Sequence, residues 1–476
     1  MNTSTTATTG GVPVIVDAAA LAHAAYTTGL SPDLRADVTR RVLDLLGNCL
    51  AAADEEPARI AEAVAAEWGG APAATGFGTG NRLPAPSAAL VNGTLAHALD
   101  FDDTHLPSVL HPSASVIPAA LATAEAHGRT GAQALDAAGL GIELAVRLGM
   151  AGYDEKLGNS IFFERGQHAT AICGAVGAAM ASALLQGLDA AGVAHAAGVA
   201  ASMGSGLLEA NRTGGTVKRV HCGWAAHAGV SAADLARHGL TGPPTVVEGR
   251  FGFLEAFCGD AGRAQDVVAD FTEEWELPGI FFKPYPCNHF THAGIDAALQ
   301  LRGDGLPVGE VVELELGAPT SVLRTIGEPP EEKAHPRSGY HAAFSGPYTV
   351  AAALLGGGGL GLSHEDFTDA AAGDADRLAL AAKVRCVPDA ECDRVFPYQF
   401  PAVLTAVLAD GTRRTARVSA NRGGPGNPLS DEELARKFRI NAARRTSAPD
   451  TITDLVHELS HAVSVTRVTA AMASCG

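Results

Sequence analysis

From Ala169 to Ala201 the chain reads ATAICGAVGAAMASALLQGLDAAGVAHAAGVAA, almost wholly alanine, glycine and aliphatic residues. Alanine is the strongest helix former and adds little bulk, so such a run folds as helix and lets neighbouring helices pack closely. It is also apolar enough to be weighed as a bilayer span, for which roughly 18 residues suffice. Its many glycines and alanines, and His195 within it, predict a buried helix pair instead. The bias extends along the chain, with hydrophobic residues at 47% and aromatics at only 5%. A mainly α protein follows, because sheets draw on β-branched and aromatic side chains.

A chain of 476 residues exceeds the roughly 250 to 300 that one core sustains, so more than one domain is expected. Residues 1–13 read as a disordered start. Apolar positions at helical spacing begin with VDAAALAHAAY and run on as helix after helix, giving a large helical domain over 14–278. Within it Ser87–Leu99 is a predicted helix with Ser87 as its N-cap, following the turn-rich connector FGTGNRLPAP. Ala114–His127, Gly131–Met150 and His168–Leu185 are others.

The pattern changes beyond Glu276. VVELELGAP has the period of two of a half-buried strand, and AVLTAVLADGTRRTARVSA alternates on both sides of Asp410-Gly411, a hairpin signal. Residues 279–425 therefore form a smaller α+β domain. After GGPGNP, Ser430 and Glu433 stand in capping-box spacing, and helices over 426–476 return to pack on the first domain.

The net charge of −18 excludes nucleic acid and anionic membrane surfaces as main partners. It leaves room for a small anion in a local basic pocket. The eight cysteines form no CxxC pair and the start lacks an apolar signal core, so a cytoplasmic protein with reduced thiols is expected.

Chemistry-bearing residues concentrate in three segments. Ala98–Pro112, ALDFDDTHLPSVLHP, packs Asp100, Asp102, Asp103, Thr104, His105 and His111 between two helical runs. Carboxylates, a hydroxyl and imidazoles together can abstract, donate and relay protons near neutral pH. The alternative is an acidic surface loop. Asn211–Gly229, NRTGGTVKRVHCGWAAHAG, sets glycines before Lys218, so that backbone amides and an ammonium can meet an anion; a solvated basic turn is the other reading. Only six lysines stand against twenty-eight arginines, which makes Lys218 and Lys283 conspicuous. Phe282–His292, FKPYPCNHFTH, carries Lys283, Tyr285, Cys287, His289 and His292. A zinc site there lacks a fourth ligand, and a buried cysteine beside core histidines is the commoner arrangement. Arg165-Gly-Gln-His168 places His168 at a helix start.

Read in order, DFDDTH with HPS, GQHAT, GTVKRVHCGWAAHAG, EGRFGF at Glu248–Phe253 and KPYPCNHFTH resemble the MmgE/PrpD family, which includes 2-methylcitrate dehydratases, cis-aconitate decarboxylases and iminodisuccinate epimerases. The resemblance implies an all-helical domain with a smaller α+β lid, a homodimer, and a site between the domains that uses no metal and no organic cofactor. It implies Asp100, Thr104, His111 and His168 as catalytic residues and Lys218, Lys283, Tyr285 and His289 as contacts to a small carboxylate substrate.

Lysines neutralise carboxylates, acidify the adjacent carbon and stabilise the enolate formed there, while His111 or His168 moves the proton. Asp100 and Thr104 orient the imidazole or the substrate, and Asp102, Asp103 and His105 shape the loop. Loss of hydroxide gives a dehydratase and loss of carbon dioxide a decarboxylase; these lead, with epimerisation of a small dicarboxylate such as iminodisuccinate as the alternative and a non-catalytic binding scaffold behind both. The family's decarboxylases carry histidine where this chain has Asn288, and a basic residue where it has Ala343. Both departures lower the charge on the lid side, which points to a smaller or less charged acid.

Overall fold

The computed structural model describes residues 11–210, 215–259, 262–473 and 475; most of the expected disordered start, residues 1–10, and residues 211–214 of the glycine-lysine segment lie outside these. The first part of the chain is helical: α1 (Val14–Thr28), α2 (Pro32–Ala51), α3 (Glu56–Trp68), α4 (Ala85–His97), α5 (Ser113–Ala126), α6 (Gly131–Met150), α7 (Ala169–Gln186), α8 (Ala190–Ala201) and α9 (His221–Arg237). Local chemistry sets the ends. Ser31 accepts the Leu34 N–H ahead of α2, Thr130 and Gln133 form a capping box on α6, and Gly187 ends α7 in the left-handed region.

The expected helix pair is α7 and α8. Helix α7 is long and apolar enough to cross a membrane but is buried almost throughout within the protein. Small residues let its neighbours approach: a Cβ on Gly141 of α6 would lie 2.5 Å from the Gly177 carbonyl oxygen, and one on Gly93 of α4 would lie 2.8 Å from the Gly223 Cα of α9. One correction concerns α4. It starts at Ala85, so Ser87 lies inside the first turn instead of capping it. Pro86 is tolerated there because an amide in the first turn has no intrahelical partner.

Beyond residue 280 the structure contains α10 (His292–Gly303), β1 (Val311–Ala318), α11 (Gly346–Leu355), β2 (Val384–Pro388), β3 (Ala402–Leu408) and β4 (Arg413–Val418). The strands form one sheet in the order β2-β1-β3-β4, with β1 and β2 parallel and the other pairs antiparallel. The hairpin turn is at Asp410-Gly411, where Asp410 accepts the Thr412 N–H at 2.8 Å and Gly411 takes φ +85°. Leu314, Leu316, Leu404 and Ala406 make a core with Ile295 of α10 and Val350 of α11.

The chain ends in α12 (Asp431–Ala442), capped by Ser430 and Glu433, then α13 (Pro449–His457) and α14 (Thr466–Ala473). Phe438, Ile452, Val456 and Met472 from these helices share one hydrophobic core with Leu46 of α2 and Leu140 of α6. The protein is thus mainly α, with a large helical body and a smaller α+β region.

Candidate active site

Residues 98–112 join α4 to α5, and the structure rules out an acidic surface loop: Asp100, Asp102, Asp103, Thr104, His105 and His111 are all buried. Buried carboxylates need partners. Asp103 accepts the Arg41 guanidinium at 2.9 Å and the Ser113 hydroxyl at 2.5 Å. Arg41, on α2, also donates to the carbonyls of Leu277 and Ile280 at 2.9 and 3.2 Å. One side chain therefore ties the turn to the crossover into the α+β region. His105 meets Ser108 at 2.7 Å and Glu276 at 3.4 Å, so Asp103 and His105 do shape the loop. At its start Asp100 has φ +52°, a conformation that side chains other than glycine adopt at a cost and that clusters at functional sites.

Around Asp100 the predicted residues converge. Lys218 comes from the short turn Val217–Val220 that leads into α9, and its Nζ lies 3.4 Å from Asp100 Oδ1. Lys283 has its Nζ 3.3 Å from the same oxygen and donates to the Asp100 carbonyl at 2.7 Å. His111 Nε2 is 3.7 Å from that oxygen. His111 Nδ1 donates to the Asp103 carbonyl at 2.8 Å, with Thr104 Oγ1 at 3.2 Å. A carbonyl only accepts, so the proton of the neutral ring is on Nδ1 and Nε2 keeps its lone pair. Thr104 is fixed by exchanging backbone hydrogen bonds with Phe281, both 2.8 Å.

A second layer was missed in the sequence. His97, the last residue of α4, has Nδ1 2.9 Å from Asp102 Oδ2, and its ring lies 5.1 Å from that of His111 and 5.5 Å from that of His168. Asp102 Oδ2 is also 3.8 Å from His111 Nδ1. Asp102 thus belongs to the site itself, a larger role than loop shaping. His168 Nδ1 meets His221 Nδ1 at 2.9 Å, and its buried Nε2 has no hydrogen-bond partner among the described residues. The signal for His97 is that it closes an apolar helix three residues before the acidic cluster begins at Asp100.

The electrostatics follow from burial and these neighbours. Burial alone would raise the Asp100 pKa, but Lys218 and Lys283, with His111 and His97, hold it well below the usual carboxylate range. Asp102, opposed by burial and helped chiefly by His97 and His111, is lowered to about 2. Burial, reinforced by Lys283 and His97 and opposed by Asp102 and Asp100, takes His111 down to about 3. His168 is pushed well below its usual value by burial and by Lys218. Burial opposes the charge on Lys218, yet Asp100 raises its pKa. At neutral pH the site holds ionised carboxylates, a charged lysine and neutral imidazoles able to accept a proton.

Two expected substrate contacts stand differently. Tyr285 is fully buried, its hydroxyl donates to Asp296 at 2.5 Å, and its ring packs in the core of the α+β region, so its hydroxyl is committed to bracing that region. His289 is buried and bonded through Nε2 to Asn421 at 2.8 Å, with none of its ring atoms bonded to Asp100 or the lysines. Cys287, His289 and His292 have separate partners, Thr291, Asn421 and the Cys287 carbonyl, and so do not converge on a metal.

Ligand atoms of His97, Asp100, Asp102 and His111 do come within 4.8 Å of one another. His97 and Asp102 already satisfy each other, however, and two ammonium groups face Asp100. A divalent cation there would meet two positive charges at close range, whereas an anion is welcomed. The donor set fits a carboxylate ligand better than a metal ion.

The sequence profile of the MmgE/PrpD N-terminal domain matches residues 16–265, and that of the MmgE/PrpD C-terminal domain matches residues 285–461. The chain belongs to the MmgE/PrpD family. Asp100, Thr104, His111, His168 and Lys218 fall in the first match, and Lys283 just before the second. Similar proteins include a cis-aconitate decarboxylase of Homo sapiens, 29% identical over 428 residues that cover 88% of this chain and 85% of that one. A cis-aconitate decarboxylase of Aspergillus terreus is 29% identical over 402 residues, 80% of this chain and 79% of its own. A cis-aconitate decarboxylase-like protein of Aspergillus oryzae is 29% identical over 385 residues, 76% and 77% of the two chains. This MmgE/PrpD protein is an enzyme of the lyase class.

Proposed function

We propose that this MmgE/PrpD lyase decarboxylates a small unsaturated polycarboxylate of the cis-aconitate type, using its own side chains without a metal or organic cofactor. The observation that carries this reading is that Lys218 and Lys283 lie 3.4 and 3.3 Å from one Asp100 oxygen, with the His111 Nε2 lone pair 3.7 Å from it. The two ammonium groups have N–H donors beyond those that Asp100 takes, and these suit a second carboxylate, that of the substrate. Neutralising that group stabilises negative charge developing on the carbon beside it.

In the reaction a C–C bond breaks, its electron pair passes into the unsaturated acid, carbon dioxide leaves, and a proton returns to carbon. His111 delivers it. Burial keeps the ring neutral, and a bound polyanion raises its proton affinity by adding negative charge nearby, so binding loads the ring for transfer. The Asp103 carbonyl and Thr104 hold the ring in place.

Dehydration of a smaller hydroxy acid is a second reading, favoured by one observation. The Asn288 side chain caps a backbone turn by accepting the Phe290 N–H at 3.1 Å, and Ala343 offers only a methyl group, so neither position adds charge for a third carboxylate. As part of the proposal the enzyme is a cytoplasmic homodimer, supported by the family resemblance and by eight unpaired cysteines.

The test is to incubate the purified protein with cis-aconitate, citrate, 2-methylcitrate and related dicarboxylates in deuterated water and follow the products by NMR. Carbon dioxide release with a decarboxylated alkene is expected from cis-aconitate. A new alkene from a hydroxy acid alone would establish dehydration instead, exchange without net conversion would mark an epimerase, and inertness toward all of them would overturn the reading.

A further inference from the structure

The turn that carries Lys218 also positions a histidine that the proposed reaction leaves unused. Val217–Val220 leads straight into α9, so Lys218 and His221, the first residue of that helix, leave the same turn. His221 Nδ1 lies 2.9 Å from His168 Nδ1, and the two ring centroids are 5.0 Å apart. His168 immediately precedes α7, so each imidazole sits at a helix start, where the dipole opposes positive charge. Burial and Lys218 hold His168 well below its usual pKa, and burial, with His97 and Lys218, takes His221 down to about 4. Both rings are therefore neutral at neutral pH.

Two neutral imidazoles joined through their Nδ1 atoms share one proton. Whichever ring holds it donates, and the other ring then carries its own proton on Nε2. The pair is held closely: the His168 backbone N–H donates to the Gly206 carbonyl at 3.0 Å, and a Cβ on Gly206 would lie 3.1 Å from His168 Cβ and 3.3 Å from His221 Nδ1, so a side chain there would crowd both residues. With Nδ1 committed to His221, Nε2 is the nitrogen that His168 has left, and it is buried with no hydrogen-bond partner among the described residues. The His97 ring, 5.5 Å from that of His168 and 5.1 Å from that of His111, puts His168 in the same imidazole cluster, and after burial Lys218 is the group that acts on it most.

We propose that His221 is a positioning residue for the bound acid: it holds the shared proton, donates to His168 Nδ1, and so keeps His168 as a neutral Nε2–H donor to a substrate carboxylate. This inference rests on the polycarboxylate reading above. Carboxylate oxygens only accept, so a carboxylate at Nε2 requires an N–H there, a lone pair on Nδ1 and a donor opposite it. An imidazolium would offer the same N–H, but burial and the ammonium of Lys218 oppose its charge; His221 makes the donor available without charge. The spacing of Lys218 and His221 gains a reason, since one turn presents an ammonium for a carboxylate and the imidazole that orients a second donor.

The probe is tricarballylate, a saturated tricarboxylate without the double bond of cis-aconitate. Nitrogen NMR of protein labelled at histidine, with the His168 and His221 signals assigned by their absence in His168→Gln and His221→Gln, reads the protonated nitrogen of each ring directly. With the probe saturating, the proton of His168 is expected on Nε2 and that of His221 on Nδ1. Calorimetry gives the energetic side. An asparagine amide can present an N–H where His221 Nδ1 stands, so His221→Asn is expected to bind the probe within about three-fold of the wild type, and His221→Leu about ten-fold more weakly. Thermal unfolding confirms that each variant is folded.

A proton on His168 Nδ1 in the complex overturns the proposal. So does equal binding by wild type and His221→Leu, or an equal loss in His221→Asn and His221→Leu, which would make the ring's bulk the cause. Failure of the polycarboxylate reading looks different: the wild type itself would neither bind tricarballylate nor convert cis-aconitate.

Discussion

Two buried acid–lysine clusters flank Phe101, and they differ in how many cations meet each carboxylate. On one side Lys437 of α12 pairs with Asp44 of α2 at 2.6 Å and donates to the Phe101 carbonyl at 3.0 Å. On the other, Lys218 and Lys283 share Asp100 at the longer distances of 3.4 and 3.3 Å. The closer pair is the less ionised. Burial, only partly opposed by Lys437, pushes Asp44 up to about 6, while two cations overcome burial and hold Asp100 well below its usual value. Charge count therefore outweighs contact distance in a buried cluster. The close pair is a strut that fixes the Phe101 turn between two helices, and the two-lysine cluster has ammonium donors left for a ligand.

If this contrast is right, substitutions on the two sides have opposite signatures. The largest effect is expected for Lys218→Met or Lys283→Met, each lowering turnover of the accepted acid by roughly a thousand-fold while the protein stays folded. Steady-state kinetics with circular dichroism checks this, and a loss under ten-fold would erase the distinction. Lys437→Met should act on stability instead. It strands Asp44, costs about 3–5 kcal/mol in chemical unfolding, and leaves turnover of the folded protein within a few-fold. Adding Asp44→Leu should restore most of that loss.

The smallest effect is in pH dependence. Asp44 has a folded-state pKa, about 6, above the value of roughly 4 in the unfolded chain. Its contribution is fully present below about pH 4 and is lost as pH rises through about 6. Asp102, lowered to about 2, runs the other way, contributing above about pH 4 and losing that contribution as pH falls toward 2. Unfolding midpoints should show the wild type losing ground to Asp44→Asn between about pH 4 and 6. No such crossing is expected for Lys218→Met.

Much of the active turn was legible because its residues are close in sequence. Asp100, Thr104 and His111 stand within one segment between apolar helices, and Lys218 and Lys283 are conspicuous in a chain with few lysines. Helix bounds such as Gly131–Met150 were legible for the same local reason: glycine at one end, and an apolar period that stops at the other. What was not legible is long-range. Arg41 reaches Asp103 from α2, Lys437 reaches the Phe101 carbonyl from the far end of the chain, and Asn421 reaches His289 from the linker before α12. No local pattern carries such pairings. Tyr285 shows the same limit, since the resemblance offered it as a substrate contact and only the fold shows its hydroxyl committed to Asp296.

The most direct test of the central claim is turnover of cis-aconitate in deuterated water by the wild type and by His111→Ala, with carbon dioxide and carbon-bound deuterium counted in the same samples. One solvent deuteron on carbon for each carbon dioxide released by the wild type is predicted, with a loss of roughly 100-fold or more in His111→Ala. Full turnover by His111→Ala, or product without solvent deuterium, would contradict the account.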